Sequence, residues 1–391
     1  MRSTEAYPVL APGVFLKQLE TDCVYNAGND ELYELSPEAF HFLARCDGTR
    51  ALGDMDVEVE EEFLSYCLEE GILELAHEPT PRPVRCGVNE RPSLRYLMVE
   101  VTDRCNLRCR HCYLGDAGRD DLAWDTLYGL LDDFDDLGGL RLMITGGEPL
   151  LYPHFAALND ALAGRTYRAV LITNGTLLKD TDLRYLRFHE IQFSLDGLQE
   201  GHEVLRGKGT FRPAMAALEE ALAQGIDVSV ATVMHRRNLH ELEDLGELLS
   251  GLGVSSWTLE FPVPSGRMAE HRDLMPGVEE SLAYFDLEWG SGPHEGAEGY
   301  ACGAHLAAVD TGGRLIKCGY YRNPSGGAVS AGLRPAWRNL PRMRPEGACA
   351  ACPLLSECGG GCRFRAELLE GPGGRDPLMC ARMGLLPGKR P

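Results

Sequence analysis

Three cysteines fall close together in Val101-Thr-Asp-Arg-Cys-Asn-Leu-Arg-Cys-Arg-His-Cys-Tyr113, a Cys-x3-Cys-x2-Cys array of Cys105, Cys109 and Cys112. No other feature restricts the fold so strongly, because thiols that share one centre need a short loop on a rigid base. The apolar run from Leu94 to Val101 reads as a buried strand, so the thiols sit in the loop leaving it. Three clustered thiolates suit a soft metal or an iron–sulfur cluster. A closed zinc site wants a fourth ligand, and the nearest candidate, His111, lies between two of the cysteines. A four-iron cluster held by three cysteines instead leaves one iron open to a small chelating ligand.

Composition narrows the class. The chain has 391 residues, enough for two or three domains and a large core. Its formal charge of -21 argues against a nucleic-acid partner, since phosphate binding needs a basic face. No apolar run is long enough for a membrane helix, and Met1 to Pro8 contains no apolar signal core. The expectation is a cytoplasmic protein with neither nucleic acid nor membrane as partner. There, fourteen cysteines serve as metal or redox ligands more readily than as disulfides. Ten of them fall into two spaced groups, while Cys23, Cys46, Cys67 and Cys86 stand alone.

Residues 1–80 read as a small α+β domain of winged-helix type. Short strands are expected at Val14–Leu19, Cys23–Asn26 and Leu32–Leu35, with a turn at Asn26–Asp30. Ser36 caps a helix that Pro37 begins. A second helix is expected from Val57 to Gly71, and Ile72–Leu75 closes the unit as a strand. Cys23, Cys46 and Cys67 fall on apolar faces and read as core. The proline-rich stretch Glu78-Pro-Thr-Pro-Arg-Pro-Val84 announces a semi-rigid linker over 81–93.

From Leu94 strands and helices alternate. Strands are expected at Leu94–Val101, Arg141–Thr145, Ala169–Thr173, Glu190–Leu195, Asp227–Val233 and Ser256–Val263. Ala123–Leu137, Phe211–Gln224 and Leu239–Leu252 are helices between them. Such units with right-handed crossovers make an α/β fold, a partial (β/α)6 barrel of TIM type over 94–295, with ligands at the C-terminal strand ends. Gly290 to Gly299 reads as a flexible boundary. Residues 296–391 hold the second group: Cys302, Cys318, Cys349, Cys352, Cys358, Cys362 and Cys380. Within it, Leu306–Val309 and Arg314–Cys318 read as a hairpin turning on glycines.

The first cysteine array resembles that of the radical S-adenosylmethionine (SAM) enzymes, whose open iron is chelated by the amino and carboxylate groups of SAM. Thr145-Gly-Gly-Glu-Pro149, ending the second strand, strengthens the likeness. It resembles the motif that holds the SAM amino group, which implies cofactor-binding roles for Gly146, Gly147 and Glu148. The resemblance also implies that Asn174, Ser194 and Asp196 meet the ribose or methionyl part. Arg206, in His202-Glu-Val-Leu-Arg206, would meet the SAM carboxylate, and Thr232 and Met234 the adenosine. On the residues alone, the segments of Asn174 and Asp196 also read as Asx-capped turns, Arg206 as half of an ion pair and Met234 as core. Glu260 ends the sixth strand and is the candidate catalytic residue, as substrate contact or proton acceptor. A salt bridge within the barrel is its alternative.

The second cysteine group resembles the seven-cysteine SPASM domain, which carries auxiliary four-iron clusters; a pair of zinc ribbons is the alternative. The likeness implies Cys349, Cys352, Cys358 and Cys380 around an outer cluster and Cys302, Cys318 and Cys362 around an inner one. No cysteine between Cys302 and Cys318 supplies a fourth inner ligand, so a substrate group, His305 or water would fill that place, with Cys86 a remote candidate. The expected cofactors are three [4Fe-4S] clusters and SAM. Residues 1–80 resemble the PqqD-like element that takes a leader peptide as an added strand, with a structural cap on the barrel as the alternative.

These likenesses imply a radical SAM/SPASM peptide maturase, with the geopeptide-type enzymes a nearer relative among them. Such an enzyme cleaves SAM reductively and uses the 5′-deoxyadenosyl radical on a ribosomally synthesised peptide, here with a thioether or other oxidative crosslink as the expected product. Its expected partners are a precursor peptide with a leader segment and an electron donor such as flavodoxin or ferredoxin. A sulfatase-type formylglycine maturase is one alternative. A tetrapyrrole or haem-biosynthesis enzyme, sharing the Cys-Asn-Leu-Arg-Cys-x-His-Cys-Tyr style of loop, is a second. A non-catalytic iron–sulfur carrier or scaffold is a third, and the Gly-Gly-Glu motif speaks against it.

Overall fold

A computed structural model describes residues 5–55, 60–116, 118–290 and 303–385. Cys302 and the first residues expected in the second helix lie outside them.

The N-terminal unit begins with β1 (Tyr7–Leu10), β2 (Val14–Gln18), β3 (Asp22–Asn26) and β4 (Glu31–Glu34). Helices α1 (Pro37–Leu43) and α2 (Glu61–Glu69) and strands β5 (Leu73–Ala76) and β6 (Cys86–Val88) follow. Ser36 Oγ accepts from the Ala39 amide at 3.2 Å, the cap that the sequence announced. Strands β2, β3 and β4 form an antiparallel meander, while β1 pairs with β5. Cys46 and Cys67 are buried among Leu16, Val24, Phe42 and Leu64, and Cys23 beside Tyr25 and Leu140, so all three are core residues. The stretch expected as a linker is partly sheet. Once its prolines end, Cys86–Val88 has free amides and adds to β2 in parallel.

The barrel sheet is laid down in chain order. Strands β7 (Tyr96–Thr102), β8 (Arg141–Gly146), β9 (Arg168–Thr173), β10 (Glu190–Ser194), β11 (Asp227–Val233) and β12 (Ser256–Glu260) are parallel neighbours. Helices α3 (Trp124–Asp136), α4 (Phe155–Ala161), α5 (Gln199–Arg206), α6 (Phe211–Ala223) and α7 (Leu242–Leu252) connect them. Leu127, Leu131 and Phe134 of α3 and Leu245 and Leu249 of α7 bury their apolar stripes against the outward side chains of the sheet. Strands β9 and β11 stop at their expected ends and the others within one to three residues of theirs, and the expected helix at Leu239–Leu252 begins with a short 3-10 turn.

The C-terminal part does not stand apart from this sheet. Strand β13 (Leu306–Val309) lies parallel against β7, and β14 (Arg314–Ile316) and β15 (Ser325–Ala328) extend the sheet antiparallel. The hairpin read from the sequence is thus the barrel's own flank. After α8 (Val278–Leu282), helices α9 (Leu333–Asn339), α10 (Gly347–Ala350), α11 (Leu355–Cys358), α12 (Arg363–Glu370) and α13 (Pro377–Arg382) carry the cysteine-rich region. Trp337 of α9 is buried, and its Nε1 donates to the Pro92 carbonyl at 2.8 Å.

The N-terminal unit docks under the barrel floor, where the strands begin. Lys17 is fully buried and donates to the carbonyls of Gly139 at 2.9 Å and Thr166 at 2.8 Å. Arg168, first in β9, pairs with Glu190 and Asp227, which open β10 and β11, and donates to the Gly28 carbonyl at 2.8 Å. Arg141, first in β8, pairs with Asp30. The opposite end of the barrel is left for a site. Among the described residues no helix is long and apolar enough to cross a membrane.

Candidate active site

A cavity of about 1010 Å³ opens at the C-terminal ends of the strands. Cys105, Cys109 and Cys112 line it, as do Gly146, Gly147, Asn174, Ser194, Arg206 and Glu260. Its depth is closed by inward side chains of the strands, Met98, Ile172 and Gln192. Among the described residues no three cysteine, histidine or acidic side chains are grouped as for a single metal ion.

The thiol loop is anchored largely by its backbone, and Cys105 Sγ accepts from the Leu107 amide at 3.4 Å. The Arg110 amide donates to the Leu205 carbonyl at 2.8 Å, and Arg267 Nε donates to the Cys109 carbonyl at 2.8 Å. Asn106 donates to Thr176 Oγ1 at 2.8 Å and accepts from Asn174 Nδ2 at 3.0 Å, tying the loop to the end of β9. Burial pushes the Cys105 thiol up to about 11, and the neighbouring thiols and Glu148 add to the effect. A cationic cluster bound there would reverse that balance by stabilising the thiolates. Three thiols on the wall of one wide cavity fit a cluster with an open coordination position.

The paired glycines answer to the chain itself. A Cβ on Gly146, whose φ is +137°, would lie 2.1 Å from the Thr102 carbonyl oxygen, and one on Gly147 2.2 Å from that of Arg104. The Gly147 and Glu148 amides donate to those two oxygens at 2.7 and 2.8 Å. Gly-Gly therefore lets this loop press against the thiol loop, while its backbone still lines the cavity. The Glu148 carboxylate is fully buried and accepts from Thr173 Oγ1 at 2.7 Å and the Asn174 amide at 3.0 Å. Those donors fix the carboxylate at the end of β9, beside the glycines that line the cavity.

Asp196 is likewise turned inward. Its carboxylate, fully buried, accepts from Arg206 Nε at 2.6 Å and from the Val233 amide at 2.9 Å. Burial alone would raise the Asp196 carboxyl, but Arg206, His111, His202 and the Val233 amide together hold it far below the usual carboxylate range. Arg206 presents its guanidinium to the cavity, with His111 Nε2 at 3.4 Å. The ion pair of Arg206 with Asp196 is buried. His202, from the same motif, does not reach the cavity; its Nδ1 accepts from the Asp196 amide at 3.2 Å.

The side chains of Thr232 and Met234 do not line the cavity. Alternation along β11 sends Ala231 and Val233 to the cavity and Thr232 to the other face, where its hydroxyl donates to the Leu195 carbonyl and accepts from Trp257 Nε1 at 2.9 Å. Met234 is sealed in the core.

Glu260 opens onto the cavity wall as expected. Enclosure by protein pushes its carboxyl above the ordinary range, the charge of Asp196 adds to this, and Arg206 opposes it. The Tyr320 hydroxyl beside it favours the charged form.

The second cysteine group divides. Cys349, Cys352, Cys358 and Cys380 line one small cavity together. Buried Arg363 stands over it, with Nη1 donating to the Gly360 carbonyl at 2.8 Å and 3.8 Å from Cys349 Sγ. Asp376 knits the segment by accepting from Arg365 and from the Cys362 amide at 2.7 Å. Four thiols around one enclosure fit a fully ligated cluster. Cys318, with Gly319 and Tyr320, instead lines the large cavity facing the first array. The expected third member of that inner set, Cys302, lies outside the described residues. His305 Nδ1 lies 2.7 Å from the Ser93 carbonyl.

Sequence reasoning missed Arg267 and Tyr320. Arg267 has no local motif. Tyr320, two residues after Cys318, could have been flagged by the pairing of aromatic rings with cysteines at Cys112-Tyr113 and Cys318-Gly-Tyr320.

Residues 99–249 match the family model of the radical SAM superfamily. The AdoMet-dependent heme synthase of Nitratidesulfovibrio vulgaris is 25% identical over 359 residues, covering 78% of this chain and 96% of the relative. Mycofactocin maturase MftC of Mycobacterium ulcerans is 28% identical over 316 residues, 71% of this chain and 86% of the relative. Streptococcus suis SuiB bound to S-adenosylmethionine superposes with a TM-score of 0.64 at 16% identity, over 95% of this chain and 99% of SuiB. Native anSMEcpe with bound AdoMet gives 0.58 at 15% identity, over 74% and 95%.

Proposed function

We propose that this chain, which carries a radical SAM domain and with it the requirement for SAM and a [4Fe-4S] cluster, modifies a ribosomally synthesised peptide, forming a thioether or another oxidative crosslink. Cys105, Cys109 and Cys112 would hold the cluster, and Arg206 the SAM carboxylate. Bound there, cluster and SAM supply a reductive cleavage that yields methionine and a 5′-deoxyadenosyl radical. The protein's own part is to orient and to exclude water. Gly146 and Gly147 bring backbone to the cavity, Asn174 and Ser194 offer polar contacts, and the cysteine-rich region closes one side. Glu260 takes the proton that the substrate loses.

The observation that carries the reading is the shared cavity: Cys318 and Tyr320 of the C-terminal part face the first thiol array across it. Two auxiliary clusters are part of the proposal, an outer one on Cys349, Cys352, Cys358 and Cys380 and an inner one on Cys302, Cys318 and Cys362. Division into a peptide-recognition unit at 1–80, a connection at 81–93, a barrel at 94–295 and a cluster domain at 296–391 belongs to it as well. SuiB, whose fold spans nearly this whole chain, was solved with its precursor peptide SuiA. The exposed edge of β4 would take a leader segment as an added strand, and a flavodoxin or ferredoxin would supply electrons.

Anaerobic incubation of reconstituted protein with reductant, SAM and a candidate precursor tests this by mass spectrometry. 5′-Deoxyadenosine with a precursor lighter by two hydrogens is the expected result. SAM cleavage that never alters any precursor would overturn the peptide reading. A tetrapyrrole substrate is the second reading. It is favoured by the heme synthase relatives. Turnover of a porphyrin precursor would decide for it.

A further inference from the structure

Three aromatic rings run from the first thiol loop into the cysteine-rich region, each within two residues of a thiol. Tyr113 follows Cys112, Tyr320 comes two residues after Cys318, and Phe364 two after Cys362. Ring centroids are 4.9 Å apart for Tyr113 and Tyr320 and 6.1 Å for Tyr320 and Phe364. Tyr321 meets Phe364 from the other side at 5.6 Å.

The file is held in place. Tyr113 Oη donates to buried Glu100 at 3.2 Å, and Arg322 grips the same carboxylate with contacts of 2.9 and 2.7 Å. Tyr321 Oη donates to Glu367. A Cβ on Gly319 would meet the Tyr113 ring at 3.1 Å, closer than most real Cβ contacts, so glycine there lets the rings approach. Tyr320 is 36% exposed, and it opens on the cavity beside Glu260.

We propose that Tyr113, Tyr320 and Phe364 form an electron path between the two cysteine-bearing regions, entered from the cavity at Tyr320, with Glu260 as the accompanying proton acceptor. The proposal rests on the crosslinking reading. Hydrogen abstraction leaves a carbon radical R• on the substrate. When R• bonds to a substrate nucleophile X–H, the X–H bond breaks, R–X forms, and one proton and one electron must leave. The proton goes to the Glu260 carboxylate. The electron would cross the Tyr320 ring to an oxidised auxiliary iron–sulfur cluster, for which Cys318 and Cys362 would be ligands, and that cluster would gain one electron.

The test needs neither SAM nor peptide. Reconstituted protein receives a sub-stoichiometric pulse of reductant and is frozen at intervals, and EPR follows the electron among the clusters. Tyr320→Leu should slow redistribution several-fold at full iron content, and Tyr320→Phe, which keeps the ring, should slow it less. A wild-type rate in Tyr320→Leu, or a wild-type protein with a single cluster, overturns the path. Should Tyr320→Leu lose iron, Phe364→Leu is judged by the same criterion. Slowed redistribution in a protein whose wild type modifies no peptide keeps the path and discards the crosslinking reading.

Discussion

Arg206 Nε donates to the Asp196 carboxylate at 2.6 Å, with the aspartate sealed from solvent and the guanidinium fronting the cavity. Removing one member of a buried pair leaves the other uncompensated, at up to about 3–5 kcal/mol. Asp196→Asn should therefore lower the urea midpoint and weaken SAM binding, because Arg206 loses the anchor that aims it. Urea unfolding and equilibrium dialysis of labelled SAM check the two effects. Wild-type values in both would remove Asp196 from the site.

Gly147→Ala should empty the first thiol loop of iron. The added methyl would fall 2.2 Å from the Arg104 carbonyl oxygen, and backbone cannot yield without moving the thiols. Gly129→Ala is the control. It lies in α3 with nothing within 4 Å of the new Cβ, and should stabilise by about 0.5–1 kcal/mol. Iron content and thermal unfolding distinguish the two.

Stability should carry a signature of Lys17. Burial pulls its ammonium from 10.5 down to about 7, and Asp135 resists only in part. Between those two values the unfolded chain holds a proton that the folded one lacks, so this residue makes stability rise with pH; below about 7 its contribution is flat. Relative to Lys17→Met, the wild type should gain stability as the pH is raised from 7 towards 10. Parallel pH profiles of the two proteins in urea would show that the lysine is not held as described.

Glu260→Gln should leave SAM cleavage largely intact and depress peptide product by about 10²–10⁴-fold, the usual size of a general-base contribution. Quantifying 5′-deoxyadenosine and product in the same reaction separates the steps. An equal fall in both would make Glu260 a structural residue of the barrel.

Cys352→Ser should reduce bound iron by about four per chain, one cluster, without abolishing the EPR signal of the first cluster. Its sulfur lines the small C-terminal cavity and not the large one. Iron content unchanged from the wild type would remove the outer cluster from the proposal.

Much of the fold was legible because its signals are local. The cap at Ser36, the β8–β11 strands and the thiol loop after β7 depend on neighbours a few residues away, and the structure places them near where the spacing did. Side-chain direction was less legible. Glu148, Asp196 and Thr232 occupy the expected strand ends, and each makes a hydrogen bond to another element, with Thr173, Arg206 and Leu195 as partners. Nothing in a Gly-Gly-Glu motif says that its glutamate will accept from the next strand.

By itself, then, the sequence determined what short-range sterics and periodicity determine: alternating strands and helices, three thiols in one loop, and glycines where backbone must come close. Only the tertiary structure decided that β13 would extend the barrel sheet, that Lys17 would be buried under its floor, and that Tyr320 would meet Tyr113 across the cavity from a position some two hundred residues away. The reason is physical: long-range contacts depend on which faces pack together, and that is settled by burying apolar surface over the whole chain, not by any one segment.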